Sequence, residues 1–283
     1  MGFDSRQPDY EMALFMPQFG EWLCAHCRRD KGIEDAQPVV PGRFYKGQPG
    51  FIEPGTPEHK VMISPSKVAS ILNISRWESA YTLWHRQRGL VADEPPSDQF
   101  DIGHDLESYA AARWRRKNPG WRLSAGEVQW VIPPDRFGFP VVVTVDRRGN
   151  RGRAQRCIEL KRALTMSDLE QWGDDLTGDL PEDYAAQVTA QMLFTGLTKY
   201  AGHCVAIGPY YQDRVYEVDF RPTVADWIVT ECAEFWQSLR AKNVPKLDNS
   251  MSTYETVREL HPDIDGSTVA VDPDLGIAVH NAN

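Results

Sequence analysis

Long apolar runs are missing from this 283-residue sequence. No stretch reaches the roughly 18 apolar residues that a membrane-spanning helix needs, so that class is excluded. Cysteine is scarce: five residues are scattered along the chain. An odd, dispersed set makes no disulfide framework, and a reducing cytoplasmic compartment is expected. The opening residues, MGFDSRQPDYEMALFMPQFG, put acids before a short apolar patch and lack the basic start of a secretory signal. Positive charge is also short. With 31 Lys and Arg against 40 Asp and Glu, the formal net charge is -9. Phosphate neutralisation needs cations, so the total disfavours a nucleic-acid partner. What remains is ordinary: 41% hydrophobic and 25% charged residues suit a globular protein with a substantial core.

The distribution of charge points the other way. Between Arg113 and Arg162 there are 13 Lys and Arg and only four acids (Glu127, Asp135, Asp146 and Glu159), a local charge of +9. The remainder of the chain carries 18 basic and 36 acidic residues. A basic segment with a few embedded carboxylates suits a protein that grips phosphates and holds a metal beside them.

Residues 1–60 are rich in Pro and Gly and read as an irregular arm. From Ser64 the pattern turns helical: Ser64 is a candidate N-cap, Pro65 occupies the first helical position, and Val68, Ile71 and Leu72 recur at helical spacing. A second helix is expected over 79–88, stopped by Gly89, and a third over GHDLESYAAARWRRKN (103–118). VQWVIPP, FPVVVTVD and RCIELKRA then read as a three-stranded meander. PEDYAAQVTAQMLFTG gives a helix, HCVAIGPYY and RVYEVDF two further strands, and VADWIVTECAEFWQSLRAK a closing helix. This order predicts an α/β domain over 61–248, with a mixed central β-sheet flanked by helices. Residues 249–283 read as an acidic tail or a small appended element.

Within that plan, Asp146 ends an apolar strand, and Glu159 and Lys161 sit two apart on the next. Alternation along a strand puts both on one face while Leu160 points into the core. Glu107, on the preceding helix, is within reach of the same place. Carboxylates beside a lysine fit Mg²⁺, which takes oxygen ligands and is held by one or two carboxylates plus substrate phosphate. Two ions can activate water and stabilise the leaving oxygen of a phosphodiester, and a lysine can steady the charge that builds on phosphorus. An ExK triplet also arises in ordinary surface charge arrays, so the longer spacing to Asp146 is what gives it weight.

Asp146…Glu159-Leu160-Lys161 resembles the PD-(D/E)xK nuclease core, and the flanking motifs resemble its lambda-exonuclease or YqaJ-type viral recombinase branch. ISPSKVASILNISRWESAYTLW, GHDLE, PEDYAAQVTAQMLFTG and FWQSLRAKNVPKLD are similar to that branch's successive helices. The resemblance implies a restriction-endonuclease-like core and a metal-dependent 5′→3′ exonuclease that digests one strand of linear duplex DNA, leaving a 3′ tail. It implies Mg²⁺, or Mn²⁺, in two positions held by Asp146, Glu159, the Leu160 carbonyl and Glu107, with Lys161 acting on the water or the transition state. Gln187 would contact the active site, with Gln191 one turn later, and Ser66 would hold a 5′-phosphate. A homo-oligomeric ring and a single-strand annealing protein are the implied partners. The sequence departs from the family where Arg147 follows the aspartate in place of glycine, and where His59 or Lys60 stands near the position of a phosphate-binding arginine. Arg147 and Lys60 are accordingly candidate DNA contacts. Asp135 is a loose match to a further family aspartate.

An endonuclease or repair nuclease on the same core remains open at this level, because the core motif does not encode end dependence. So does a non-catalytic DNA-binding or assembly protein. Cys24 and Cys27, with His26 between them, form a single CxxC, short of the four ligands of a structural zinc site. Cys157, Cys204 and Cys232 lack the spacing of an iron–sulfur cluster. His104 is a helix-surface histidine beside the candidate site. Trp114 and Trp121 suit core packing better than stacking on bases.

Overall fold

The computed structural model describes residues 14–16, 21–23, 41–93, 98–163 and 165–262. Cys24, His26 and Cys27, and the side chain of His104, lie outside what is described. Strands β1 (Leu14–Met16) and β2 (Glu21–Leu23) form an antiparallel pair. They are followed by β3 (Gly42–Tyr45), α1 (Pro57–Lys60), α2 (Pro65–Ile71), α3 (Ala80–Gln87) and α4 (Asp98–Lys117). Short polar side chains set the starts of two of these helices: Thr56 Oγ1 accepts from the His59 amide at 3.3 Å, and Ser79 Oγ from the Thr82 amide at 3.0 Å. Ser64 stands at the N-cap of α2, as expected, but makes no capping bond. Its hydroxyl instead lies 2.9 Å from that of Ser66. Helix α4 begins at Asp98, five residues before the expected start.

The β-branched segments then form β4 (Arg122–Leu123), β5 (Val128–Ile132), β6 (Val141–Val145), β7 (Arg147–Arg151) and β8 (Ala154–Arg162). Next come α5 (Met166–Glu170), α6 (Glu182–Thr195), β9 (Gly202–Ile207), β10 (Asp213–Val218), α7 (Pro222–Ala241) and α8 (Met251–Leu260). Gly196 ends α6 at φ +74°, a left-handed conformation that glycine adopts without a Cβ penalty.

The expected meander is corrected. β5 and β6 belong to a three-stranded antiparallel sheet, β3-β5-β6, whereas β8 belongs to a five-stranded sheet, β10-β9-β8-β7-β4. The Arg-rich stretch between the second and third segments of that meander is itself β7, paired antiparallel to β8 with Arg147 opposite Ile158. Its charged side chains hid the strand from any hydrophobic alternation. Among the described strands, β8 and β9 are the pair that runs parallel, and α6 lies in the crossover between them. The result is a mixed α/β fold with its sheets flanked by helices. No described helix is long and apolar enough to cross a membrane.

Helix α6 is the pivot. Val188, Ala190, Met192 and Phe194 are buried in one core with Val68 and Ile71 of α2, Val143 and Val145 of β6, Cys204 of β9, and Ile228 and Trp236 of α7. Each Val, Ile, Met or Phe side chain among these contributes roughly 1.5–3 kcal/mol on leaving water. A second core, Ala110 and Trp114 of α4 with Trp121, Ile158, Val205 and Val215, fills the opposite face of the five-stranded sheet.

Two terminal regions are more ordered than their composition suggested. β3 pairs with β5, and the Gln129 side chain clasps the Ile52 backbone through both its amide atoms at 2.8 Å. After Asp248, in the segment read as a tail, α8 docks on α3 through buried hydroxyls: Ser79 to Thr253 at 2.7 Å and Thr82 to Thr256 at 2.8 Å.

Candidate active site

One residue separates β6 from β7, and it is Asp146. The chain leaves the three-stranded sheet at Val145, paired with Val128, and enters the five-stranded sheet at Arg147, paired with Ile158. The aspartate therefore stands at the corner between the sheets, and its Oδ2 accepts the Leu160 amide of β8 at 2.6 Å. That bond brings Asp146 beside Glu159 and Lys161.

Glu159 is 3% exposed, and its carboxylate is held on every side. Gln187 donates to Oε1 at 2.6 Å, Gln191 donates to Oε2 at 2.5 Å, and the Lys161 ammonium lies 2.6 Å from Oε1. Gln187 and Gln191 are one turn apart on α6, so both amides reach down to β8. Gln191 also donates to the Thr144 carbonyl at 3.2 Å. Tyr184, three residues before Gln187, places its ring 5.2 Å from the Lys161 ammonium. Tyr184 is not among the residues the sequence singles out; its spacing of three and seven from the two glutamines was the available signal.

Electrostatics couple the group. Burial and then the Glu159 charge push the Asp146 carboxyl well above its ordinary range, with Glu107 adding in the same direction. Burial works to lower the Lys161 ammonium, but Glu159 and Asp146 more than offset it and hold it above its usual range. Lys161 is thus a permanent cation at neutral pH.

Two candidates take different positions from those expected. Arg147 is 7% exposed, and its guanidinium donates to Glu107 at 3.2 Å and to the Asp146 carbonyl at 2.5 Å. It is a buried brace for the corner, not an open DNA contact. Glu107 is correspondingly engaged by Arg147, and no three Asp, Glu, His or Cys side chains group into a metal cage among the described residues. The oxygen donors that do converge are the carboxylates of Asp146 and Glu159. Their mutual repulsion, evident in the raised Asp146, is what a divalent cation relieves, and two carboxylates with substrate oxygens match the habits of Mg²⁺. The donor set fits the ion.

A cleft of about 820 Å³ adjoins this centre, lined by Lys161, Tyr184 and Gln187 together with Lys60, His59 and Ser66. Ser66 is exposed, while Lys60 forms an ion pair with Asp93. Lys67, absent from the sequence-based candidates, also lines the cleft and donates to the carbonyls of His59, Lys60 and Met62 at 3.2, 2.9 and 2.6 Å. Burial brings its pKa down to about 7. It ties α1 to α2, and so fixes the wall that carries Ser66. Asp135 is exposed between β5 and β6. Cys157, Cys204 and Cys232 are separate buried thiols.

An Asp–Glu–Lys centre set on a mixed sheet, braced by a helix bearing two glutamines, defines a nuclease core of the PD-(D/E)xK type. The chain belongs to the YqaJ-like viral recombinase domain family, whose model matches residues 56–198, just over half its length. Among solved structures, it is similar to an alkaline exonuclease, LHK-Exo from Laribacter hongkongensis, at 19% identity and a TM-score of 0.48, over 64% of this chain and 89% of that one. The same exonuclease in complex with dAMP matches at 18% identity and 0.48, over 65% and 90%. SSO0001 matches at 14% and 0.40, over 72% and 85%. No curated protein sequence matches the chain.

Proposed function

We propose that this protein is a metal-dependent 5′→3′ deoxyribonuclease that acts at the ends of linear duplex DNA and leaves a 3′ single-stranded tail for phage-type recombination. The observation that carries this reading is the shared cleft: both the Glu159-bound lysine and Ser66 line it. A terminal 5′-phosphate held near Ser66 puts the following phosphodiester toward Lys161. A phosphate that displaces Asp93 would gain Lys60 as a further contact.

Asp146 and Glu159, with the Leu160 carbonyl, would hold Mg²⁺ or Mn²⁺, in one or two positions. Bound there, the ion supplies a water of lowered pKa and Lewis-acid polarisation of the phosphate. Gln187 and Gln191 fix the Glu159 carboxylate so that no reorganisation is needed at the moment of reaction. Lys161, held as a cation, faces the charge that grows on the phosphoryl oxygens. Arg147 and Glu107 act one step away, by holding the Asp146 backbone. A ring of identical subunits, an annealing-protein partner and a cytoplasmic setting complete the reading.

The test uses linear duplex, with and without a 5′-phosphate, and closed circular duplex, each with Mg²⁺. Nucleotide release from the 5′-phosphorylated linear DNA and intact circles are expected. Cut circles would establish an endonuclease instead. Binding of linear duplex without cutting would favour a non-catalytic assembly protein.

A further inference from the structure

The basic segment does not form one surface around the active site. Arg113 pairs with Asp213 at 2.6 Å, Lys117 with Asp175 and Asp213 at 2.8 and 3.1 Å, and Arg147 with Glu107. Another group of cations lies on the far face of the five-stranded sheet. Along β8, Glu159 and Lys161 meet α6, whereas Ile158 packs with Trp114 and Trp121, and Arg156 lies against Trp121, on the α4 side. The guanidinium of Arg156 sits 4.2 Å, and that of Arg151 4.9 Å, from the centre of the Trp121 ring. Arg153 is exposed in the tight turn that joins β7 to β8. Trp121 meets Tyr200 edge-on at 6.3 Å, and the exposed Lys199 stands 5.8 Å above Tyr200.

Arg151, Arg153 and Lys199 have no ion pair with any described residue. Arg156 contacts neutral His203, and its buried Nε has no hydrogen-bond partner. The nearby acid is Glu217, which is half exposed and lies 3.4 Å from His203. Arg151 and Arg156 over Trp121 and Lys199 over the adjoining Tyr200, with Arg153 on the turn beside Arg151, make a cationic patch that suits an anion with several oxygens. Trp121 is 8% exposed, so it orients guanidinium planes and does not stack on a base.

We propose that Arg151, Arg153, Arg156 and Lys199 form a second, non-catalytic contact for the phosphate backbone of the DNA, on the opposite face of the sheet from the hydrolytic centre. This rests on the reading of the protein as a DNA nuclease. The contact is independent of sequence, because no base edge is read, and it holds DNA that is not being cut.

The test compares the full chain with the triple variant R151Q/R153Q/K199Q and its lysine–arginine counterpart R151K/R153K/K199R. The probes are a 5′-phosphorylated 40-base-pair duplex and a 40-nucleotide single strand. At physiological salt, the glutamine variant should bind at least one probe about tenfold more weakly, and its plot of log affinity against log salt should flatten by about two to three phosphate equivalents. The charge-preserving variant should bind as wild type does, and single-turnover cleavage at saturating duplex should be unchanged in both. The probe that loses affinity tells duplex from tail. Unchanged affinity and slope in the glutamine variant would overturn the proposal. So would a parallel loss of the saturating cleavage rate, or a change in oligomeric mass by light scattering, which would make the patch a subunit contact. If wild type neither binds nor cuts any of these DNAs, the nuclease reading itself falls. If wild type does both and the variant matches it, only the second contact falls.

Discussion

The two faces of the five-stranded sheet treat charge in opposite ways. On the α6 face, Glu159 is buried and met by two amides and an ammonium, while Lys161 is held by carboxylates. On the α4 face, arginines spread over Trp121, and the nearby carboxylate, Glu217, is half exposed and lies against His203. A saturated, buried array is fixed in place and suits chemistry, because a charge developing beside it finds its partners already oriented. An exposed, unsaturated array suits contact, because its partner arrives with the ligand. The whole-chain charge of -9 averages these regions and describes neither.

Each prediction tests one side of that contrast. The largest effect concerns the ion. Removing divalent cations with a chelator should abolish nucleotide release from linear duplex, and Mg²⁺ or Mn²⁺ should restore it. Undiminished release in chelator would break the carboxylate side of the comparison. Next, Lys161→Ala should slow single-turnover cleavage by about 10²–10³-fold while duplex affinity is largely kept. An equal loss of affinity would move Lys161 from the chemistry to binding.

On the α4 face, His203 bears on stability. Burial, and then the charge of Arg156, push its pKa down to about 3, so it stays neutral in the folded chain. Above about pH 6.5 the imidazole is neutral folded or unfolded and has no pH effect. As pH falls toward 3, only the unfolded chain takes up the proton, and folding stability is lost. Asp146, raised by burial, works in the opposite sense, so the difference from His203→Gln is what isolates the histidine. Urea unfolding at pH 7 and pH 4.5 should show an acid loss about 2 kcal/mol smaller in that variant. An identical loss would mean that His203 titrates normally. The smallest effect is expected away from both faces: Thr253→Val with Thr256→Val should cost about 1–2 kcal/mol by removing the hydroxyl bonds that join α8 to Ser79 and Thr82. No change in stability would show that α8 does not hold α3.

The pattern of residues carried far because the site is local in sequence. Asp146, Glu159 and Lys161 lie within 16 residues, and strand alternation alone placed Glu159 and Lys161 together. Gln187, with Gln191 one turn later, was named through the family resemblance of its helix, not through any local period. Other features depended on pairing that no local period encodes. β7 is a strand of arginines, so its membership of the sheet follows from β8 and not from its own hydrophobicity. Arg147 read as a DNA contact because its type favours phosphate, but the corner between two sheets buries it against Glu107. The basic segment read as one surface because it is continuous in sequence. Alternation along β7 and β8 instead distributes it over two faces, and distant acids such as Asp213 neutralise part of it. Helix α8 was obscure because hydroxyls, not apolar side chains, carry its docking.

The most direct measurement of the central claim is the single-turnover rate of Glu159→Gln on 5′-phosphorylated linear duplex with Mg²⁺, taken beside its affinity for the same DNA. The substitution keeps the shape that Gln187 and Gln191 enclose but removes the charge that holds Lys161 and would hold the proposed ion. The account predicts that cleavage is lost while the duplex still binds. Cleavage at the wild-type rate would contradict it.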